Sequence, residues 1–572
     1  MVSFPRPVTR QQKSLLTLVV ILGAASALVA LALPPRREQL TTHPDRVVSN
    51  VVAGISHVHT TRSDGTGTPD EIAAAAARAG LQFVIFTDHG DGTRTPDPPQ
   101  YRHGVLCLDG VEISTADGHY IGAGMAESPY PLGGDARDVV EDVERLGGFG
   151  IVAHPDSMKG RLQWREWMTP APAIEWLNAD TEWRDETYVK LARALLTYPI
   201  RPAESLASLL NRPDTTLRRW DEMTRRQRVV ALPGSDAHAR LGWGNEAADP
   251  YRNRILLRLP SYDNMFSTFS MRVELDEQLS RDPAADSARL LDALRRGRVY
   301  SVVDGFARPA QFDFRVRSGD STARQGESLE PAGRLMVDVF ANGPPGSSIV
   351  ILRDGRLIAQ GPGPQLRHEV AEARGVWRAE VRLDALGRQA APWLVSNPVY
   401  VGQPTSQPTA IPAPATTRKL DEPEAERRWH VEHQSGSSGV LERSNNGPIT
   451  FRFTLVPDIL TQSVALVLPE GAALWEFDRV SFRARATSAM RLSVQLRQPA
   501  GRDGHRWRRS VYLDNVARDI TVLFGDMRPV AETGGLKPDM GKIEDLLFVV
   551  DTINTRPGTA GAVTFESLSL ER

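Results

Sequence analysis

Between positions 57 and 238 the chain carries seven histidines, and six of them stand at the ends of short apolar runs. Ser56-His57-Val58-His59-Thr60 closes the run Val51 to Val58, Thr87-Asp88-His89 follows Leu81 to Phe86, and His119 comes just after the run Val105 to Ile113. His154 ends Ile151-Val152-Ala153 before Pro155, and Ser235-Asp236-Ala237-His238 repeats the two-apart spacing with one carboxylate and one imidazole. His103 departs from the pattern and reads as a loop residue. Scattered surface histidines would not keep to strand ends. In a parallel barrel the carboxyl ends of the strands converge on one face, where such folds keep their sites.

The rest of this region supports that architecture. From about 50 to 305, β-rich apolar runs alternate with helical stretches, which predicts an α/β fold with a parallel sheet. Thr68 as N-cap, Pro69 in the first turn, the Ala-rich Ile72 to Ala79 and Gly80 past the end mark a helix that joins the first two strands. Side chains two apart on a strand point the same way, so His57 and His59 present two imidazoles to one point, as a divalent metal requires. Asp64, in the turn just beyond, supplies an oxygen nearby, and Glu112 sits near the end of the third strand. The bland alternative is a polar strand end with two exposed histidines, and the further histidines argue against it. Alternation turns Asp88 away from His89, so it reads as an orienting residue.

This ordered set, over about residues 50 to 305 and including Leu294 to Tyr300 and Asp304-Gly305, resembles the polymerase-and-histidinol-phosphatase (PHP) family of metallohydrolases. The resemblance implies a multidomain α/β protein built on a distorted (β/α)7 TIM-like barrel that holds two or three divalent metal ions, with Zn, Mn or Fe all suited to the donors. It implies one metal at His57, His59, Glu112 and Asp236, a second sharing Glu112 with His119 and His154, and a third at Asp64, His89 and His238. Glu112, Asp236 and His238 are thereby the expected catalytic residues. Ile174 to Asn178, Val302 to Phe306 and Pro392 to Pro398 are similar to the extracytoplasmic branch related to carbaryl hydrolase, in which a β-sandwich follows the barrel.

A metal-bridging hydroxide is the nucleophile this chemistry implies, with the cations clamping the oxygens of a phosphoryl or acyl centre. No G-x-S-x-G elbow and no Gly-rich phosphate loop occurs, and Cys107, the single cysteine, lies in an apolar run and reads as buried filler. Lys159, Arg161 and Arg240 lie near ligand motifs and are candidates to hold a substrate anion; the alternative for each is a surface charge. The leading expectation is a phosphoesterase acting on a small anionic phosphoester. A carbamate, ester or amide hydrolase on the same metals, and a non-catalytic metal-stabilised envelope binding protein, are the alternatives.

Composition bounds the partners. A net charge of -2, with acidic residues interspersed among the basic ones, gives no bulk attraction to nucleic acid. Leu15 to Leu33 is uncharged over 19 residues, long enough to cross a hydrocarbon core of about 30 Å. Arg6, Arg10 and Lys13 precede it, so the positive-inside rule keeps residues 1–14 cytoplasmic and the remainder in the periplasm or at the cell surface. A cleaved signal peptide ending near Ala30 and Ala32 is the alternative to this anchor, and would make the chain a secreted protein.

The remaining organisation is predicted as a helical insertion over 160–230, a β-sandwich over 308–402, a Pro/Thr-rich linker over 403–427, and a second, jelly-roll-like sandwich over 428–572. The last stretch faintly resembles carbohydrate-binding modules, with Trp475, Trp507 and Tyr512 as candidates to stack on sugars; aromatic core residues are the alternative.

Overall fold

The computed structural model describes residues 9–46, 48, 50–243, 254–371, 373–402, 411–421, 428–434, 436–443, 448–469, 471–499, 504–531 and 535–572. Helix α1 (Arg10–Ala32) begins with the polar turn Arg10 to Lys13 and shows its leucines to the exterior, and its segment Ser14–Ala32 is long and apolar enough to cross a membrane. Arg6, one of the basic residues that precede the apolar run, lies outside the described residues.

Seven strands close into a barrel: β1 (Val51–Val58), β2 (Phe83–Phe86), β3 (Val105–Thr115), β4 (Gly118–Ala123), β5 (Phe149–Val152), β6 (Ala173–Asn178) and β7 (Val230–Ala237), with β7 pairing back onto β1. Two features differ from a regular (β/α)7 barrel. Strand β4 runs antiparallel to both β3 and β5, because only Ala116 and Asp117 separate it from β3, too few for a parallel crossover. The helical outer ring is also incomplete. Helix α2 (Pro69–Ala79) joins β1 to β2, α3 (Ala136–Arg145) joins β4 to β5, and α4 (Ala179–Arg184), α5 (Tyr188–Thr197), α6 (Pro202–Ala207) and α7 (Asp214–Thr224) join β6 to β7. The β2–β3 and β5–β6 connections carry no helix among the described residues.

Helix α2 forms where its caps require. The Thr68 hydroxyl accepts from the Glu71 N–H, the Glu71 carboxylate accepts from the Thr68 N–H at 2.8 Å, and Gly80 takes the left-handed conformation (φ 83°) that closes the far end. Strand alternation divides the apolar side chains between two cores: Val84 and Phe86 pack with α2 and α3, while Phe83 and Ile85 pack with Leu106, Leu108, Phe149 and Leu232. In the β6–β7 crossover the helices occupy residues 179–224, and the stretch before β6 is irregular.

The barrel sheet does not end at the barrel. Ser270–Glu274 pairs with β1 and with Val299–Val302, which in turn pairs with Leu394–Ser396 of the next module, so barrel and first sandwich share one continuous sheet. Its opposing layer is a four-stranded sheet that includes Phe312–Ser318 and Leu335–Ala341, and Trp377 and Trp393 fill the space between. Asp354 and Gly355 both have positive φ and turn the hairpin between Ser347–Arg353 and Arg356–Pro362. Arg378, fully buried, joins this module to α7 by paired bonds of 2.8 and 2.9 Å to Asp221.

The C-terminal module consists of two six-stranded sheets. Of the expected linker, residues 403–410 and 422–427 lie outside the described residues. Within the remainder, Thr417–Lys419 pairs with the final strand Ala560–Glu571 and Leu420 is fully buried, so these residues belong to the sandwich and not to a linker. The module seats on α3. Arg491, 1% exposed in its side chain, donates to Asp142 at 2.8 Å and to the Asp138 carbonyl at 2.8 Å, while Arg508 pairs with Asp135 at 2.7 Å.

Candidate metal centre

The ligand strands reach their geometry through bulges. Ile55 and Val58 are three residues apart yet both pack in the helix-facing core, which uninterrupted alternation forbids. Pairing on either side of β1 slips between Ile55 and Val58, and His57 adopts φ 61°, so the extra residue turns the imidazole toward the barrel interior. Asp236 (φ 48°) and His154 (φ 28°) also sit in the left-handed region. Such conformations cost about 1–3 kcal/mol each for non-glycine residues and gather where a side chain must be aimed.

The aimed groups meet. His57 Nε2 lies 3.4 Å from Glu112 Oε2 and 3.3 Å from Asp236 Oδ1, and His59 Nε2 lies 3.3 Å from each of the same two oxygens. His119 Nδ1 and His154 Nε2 approach the other Glu112 oxygen at 2.6 and 2.9 Å. On the solvent side, His238 Nε2 is 3.1 Å from Asp64 Oδ1, and His89 lies between Asp64 and Glu112. All nine sequence-derived ligand candidates therefore fall in one cluster. Ligand bonds of about 2.1 Å in a tetrahedral shell put donor atoms about 3.4 Å apart, the spacing seen around Glu112 Oε2 and Asp236 Oδ1. His57 Nε2, His59 Nε2, Asp64 Oδ1 and Glu112 Oε2 are buried without a hydrogen-bond partner, an arrangement expensive for polar atoms unless a cation satisfies them. The residues present thus fit a cluster of divalent cations, and four donor groups of three or four residues divide it.

Without a cation the carboxylates and imidazoles of the cluster shift one another. Burial opposes charge on Glu112, but His89, His119 and His57 outweigh it and hold the carboxylate well below its ordinary range. Asp236 is held low in the same way by His57, His59 and His238. Burial would lower His59, yet the nearby Asp236 and Glu112 carboxylates push it up to about 10. His89 goes the other way, pushed by burial down to about 4 against the pull of Glu112.

Supporting groups fix these ligands. Asp88 accepts from the Thr60 N–H and hydroxyl, each at 2.8 Å, and from Ser63 at 2.6 Å, so it shapes the turn that carries Asp64. Tyr262, in α8 (Tyr262–Phe266), donates to the His59 carbonyl at 2.8 Å. Glu175 is the residue that sequence reading did not single out as functional. Its carboxylate lies 2.7 Å from His57 Nδ1 and accepts from the His154 N–H at 2.8 Å and from Asn178 at 2.9 Å. A carboxylate buried in the apolar strand Ile174-Glu175-Trp176-Leu177 was the available signal.

Among the candidate anion-holding cations, Arg240 lies on the cluster, 3.3 Å from the Asp64 carbonyl. Lys159 is half-buried and Arg161 exposed in the loop after His154. Two cations not singled out from sequence, Arg62 and Arg94, line a cavity of about 80 Å³ with Asp88, His89, Gly90 and Gly92, and both pair with Asp109. A larger cavity of about 830 Å³ lies at the opposite end of the barrel, by Val51, Gln82, Tyr101 and Arg272. Cys107 is buried, and its thiol is pushed up to about 11 by burial. Of the aromatic residues considered for sugar stacking, Trp507 is fully buried in the core and Tyr512 lies under the Arg145 guanidinium at 3.7 Å, which leaves Trp475 exposed.

No family model matches the chain, and no curated protein does. Solved structures give distant likenesses. A two-domain protein from Bacteroides vulgatus containing a predicted PHP-like metal-dependent phosphoesterase is 14% identical over 63% of this chain and 99% of its own, with a TM-score of 0.30. A family 11 carbohydrate-binding module from Clostridium thermocellum, in complex with a β-1,3-1,4-mixed-linked tetrasaccharide, is 16% identical over 27% of this chain and 95% of its own, with a TM-score of 0.23. Likeness at this level assigns no activity, and the functional reading rests on the donor cluster.

Proposed function

We propose that this chain is a membrane-anchored, extracytoplasmic metal-dependent hydrolase of the PHP type, acting as a phosphoesterase on a small anionic phosphoester. The observation that carries the reading is the meeting of His57 Nε2, His59 Nε2 and Glu112 Oε2, three buried donors without hydrogen-bond partners, around spacings of 3.3 to 3.4 Å. His57, His59, Glu112 and Asp236 would hold one cation, Glu112 with His119 and His154 a second, and Asp64 with His89 and His238 a third. Bound divalent cations supply Lewis acidity, which neutralises charge on a phosphoryl oxygen and acidifies water.

The chain's own groups do the rest. Glu175 keeps the proton of His57 on Nδ1 and leaves Nε2 free for a metal. Arg240, at the solvent side beside Asp64, would meet substrate negative charge. His238 is 22% exposed in its side chain, while His57 and His59 are closed off from solvent, so His238 would hold the third cation at the solvent-facing side of the cluster, with its Nδ1 on the Asp236 carbonyl at 2.9 Å. Helix α1 is assigned the anchoring role, on its length and its exposed apolar surface.

The test is metal content by mass spectrometry, together with turnover of p-nitrophenyl phosphate, bis-p-nitrophenyl phosphate and p-nitrophenyl acetate. The chain is compared with its His57→Ala/His59→Ala variant. Bound metal and metal-dependent phosphate release, both lost in the variant, are expected. Acetate release alone would assign an acyl hydrolase, bound metal without turnover a binding protein, and absence of metal after reconstitution would overturn the centre.

A further inference from the structure

Helix α5 turns its apolar side the wrong way for a helix of a soluble protein. Tyr188, Val189, Leu195 and Leu196, with Ala192 between them, fall at i, i+1, i+4, i+7 and i+8 and form one stripe, and that stripe is exposed. The four large side chains are 42 to 90% exposed, and Ile200 just beyond the helix is 56% exposed. The opposite side, with Ala194 and Thr197, packs inward. Isolated exposed apolar residues need no explanation, but a continuous apolar helix face marks an interaction surface.

A second observation says what covers it. The carboxyl end of α1 rests on α5: Arg193 of α5 donates to the Ala32 carbonyl at 2.6 Å, and Arg201 donates to the Pro34 carbonyl. Arg193 thereby satisfies a carbonyl that the helix end leaves unpaired. A span of 19 apolar residues consumes about 28 Å at 1.5 Å per residue, close to a hydrocarbon core, so Ala32 stands at the boundary between lipid and water. A helix in contact with Ala32 stands there too. Arg193 and Arg201 stand beside the apolar stripe at the α1 end, Lys190 is paired with Glu186, and α5 itself contains no acidic residue; basic residues at the edge of an apolar helix face favour anionic headgroups.

We propose that the exposed face of α5, extended by Ile200, lies in the headgroup region of the bilayer that α1 crosses and holds the metal-bearing end of the barrel at the membrane surface. The inference rests on the anchoring role assigned to α1. The helices α4 to α6 leave the barrel at Asn178, the carboxyl end of β6, which is the end where the ligand cluster sits. Tyr198, directly after α5, accepts from the Ser261 N–H at 3.0 Å and from Asn264 at 2.8 Å, and the adjoining Tyr262 donates to the His59 carbonyl. One short helix, α8, therefore separates the lipid-facing element from the loop of a metal ligand.

The experiment uses the full chain in vesicles of phosphatidylethanolamine and phosphatidylglycerol, carrying an environment-sensitive fluorophore at Leu196→Cys, at Leu22→Cys in the middle of α1, or at Leu536→Cys on the exposed C-terminal module. Cys107 is buried, and the unsubstituted chain gives its labelling background. The expected result is quenching of the Leu22 probe by lipids with a nitroxide at the bilayer centre. The Leu196 probe should be quenched by headgroup-region nitroxides at least about twofold more than the Leu536 probe, as an interfacial helix requires. Quenching at Leu22 with Leu196 as open to aqueous iodide as Leu536 would overturn the proposal while leaving the anchor in place. A Leu196 probe shielded from iodide but untouched by nitroxide lipids, with disulfide cross-links between copies when the unlabelled Leu196→Cys chain is oxidised, would replace the membrane by a second copy of the chain. Absence of quenching at Leu22 would remove the anchor and the proposal together.

Discussion

Glu175 Oε1 lies 2.7 Å from His57 Nδ1, and the same carboxylate accepts the backbone N–H of His154 at 2.8 Å, so one buried side chain fixes ligands from two different strands. A Cβ at Gly234 would fall 2.0 Å from Glu175 Oε1, which is why β7 carries a glycine beside it. Loss of such a supporting carboxylate typically weakens metal binding about 10- to 100-fold. Glu175→Gln should therefore lower affinity by that order in a chelator competition while circular dichroism stays unchanged. Unchanged affinity would make Glu175 a packing residue only.

Metal loading should release protons. Without a cation, and against the opposing effect of burial, the neighbouring carboxylates hold His59 up to about 10, and His57 is raised as well, by Asp236, Glu175 and Glu112. A folded value above the ordinary histidine range gives the metal-free protein stability that is full below about pH 6.5 and is lost as pH rises through about 10. A cation displaces these protons. Titration calorimetry in buffers of different ionisation enthalpy should show proton release near neutral pH, and apparent metal affinity should fall as pH falls. Buffer-independent heats would contradict protonated imidazoles in the metal-free centre.

Arg491 is buried against Asp142 and Asp138, and removing one partner of a buried pair typically costs about 3–5 kcal/mol because the remaining charges stay desolvated. Arg491→Ala should release the C-terminal module from α3, which connects the strand bearing His119 to the strand that leads into His154. The expected signature is a separate, earlier unfolding transition and new protease cleavage between the modules, with the barrel transition little changed. A single transition at the original temperature would show that the remaining contacts suffice.

Arg240 and Arg161 separate by position. Arg240 stands on the ligand cluster, whereas Arg161 is exposed in a loop. Arg240→Ala should raise KM for a phosphodiester by about tenfold or more, the loss expected of one charge-assisted contact worth about 1.5–3 kcal/mol, while Arg161→Ala changes little. Equal indifference to both changes would favour an uncharged acyl substrate.

Much of this centre was legible in the chain itself. Helix α2 followed from Thr68, Pro69, Glu71 and Gly80, because a capping box and a left-handed terminal glycine act within a few residues. Strand ends occupied by His57, His59, His89, His154 and Asp236 implied convergence, since parallel strands closed into a barrel leave their carboxyl ends no other face. Simple alternation did not aim His57, however. The bulge between Ile55 and Val58 did so, and nothing local announces a one-residue slip that neighbouring strands impose.

The sequence alone therefore determined which histidines and carboxylates stand at strand ends as candidate ligands, where helix α2 begins and ends, and that one apolar segment is long enough to span a bilayer. Tertiary structure decided that β4 runs antiparallel, that Glu175 sits behind His57, that barrel and first sandwich share a sheet, and that Arg491 locks the last module to α3 across nearly 350 positions. Periodicity, caps and turns are short-range properties written in adjacent side chains. Pairing, bulging and ion-pair burial depend on which distant segments the closed barrel brings within a few ångströms.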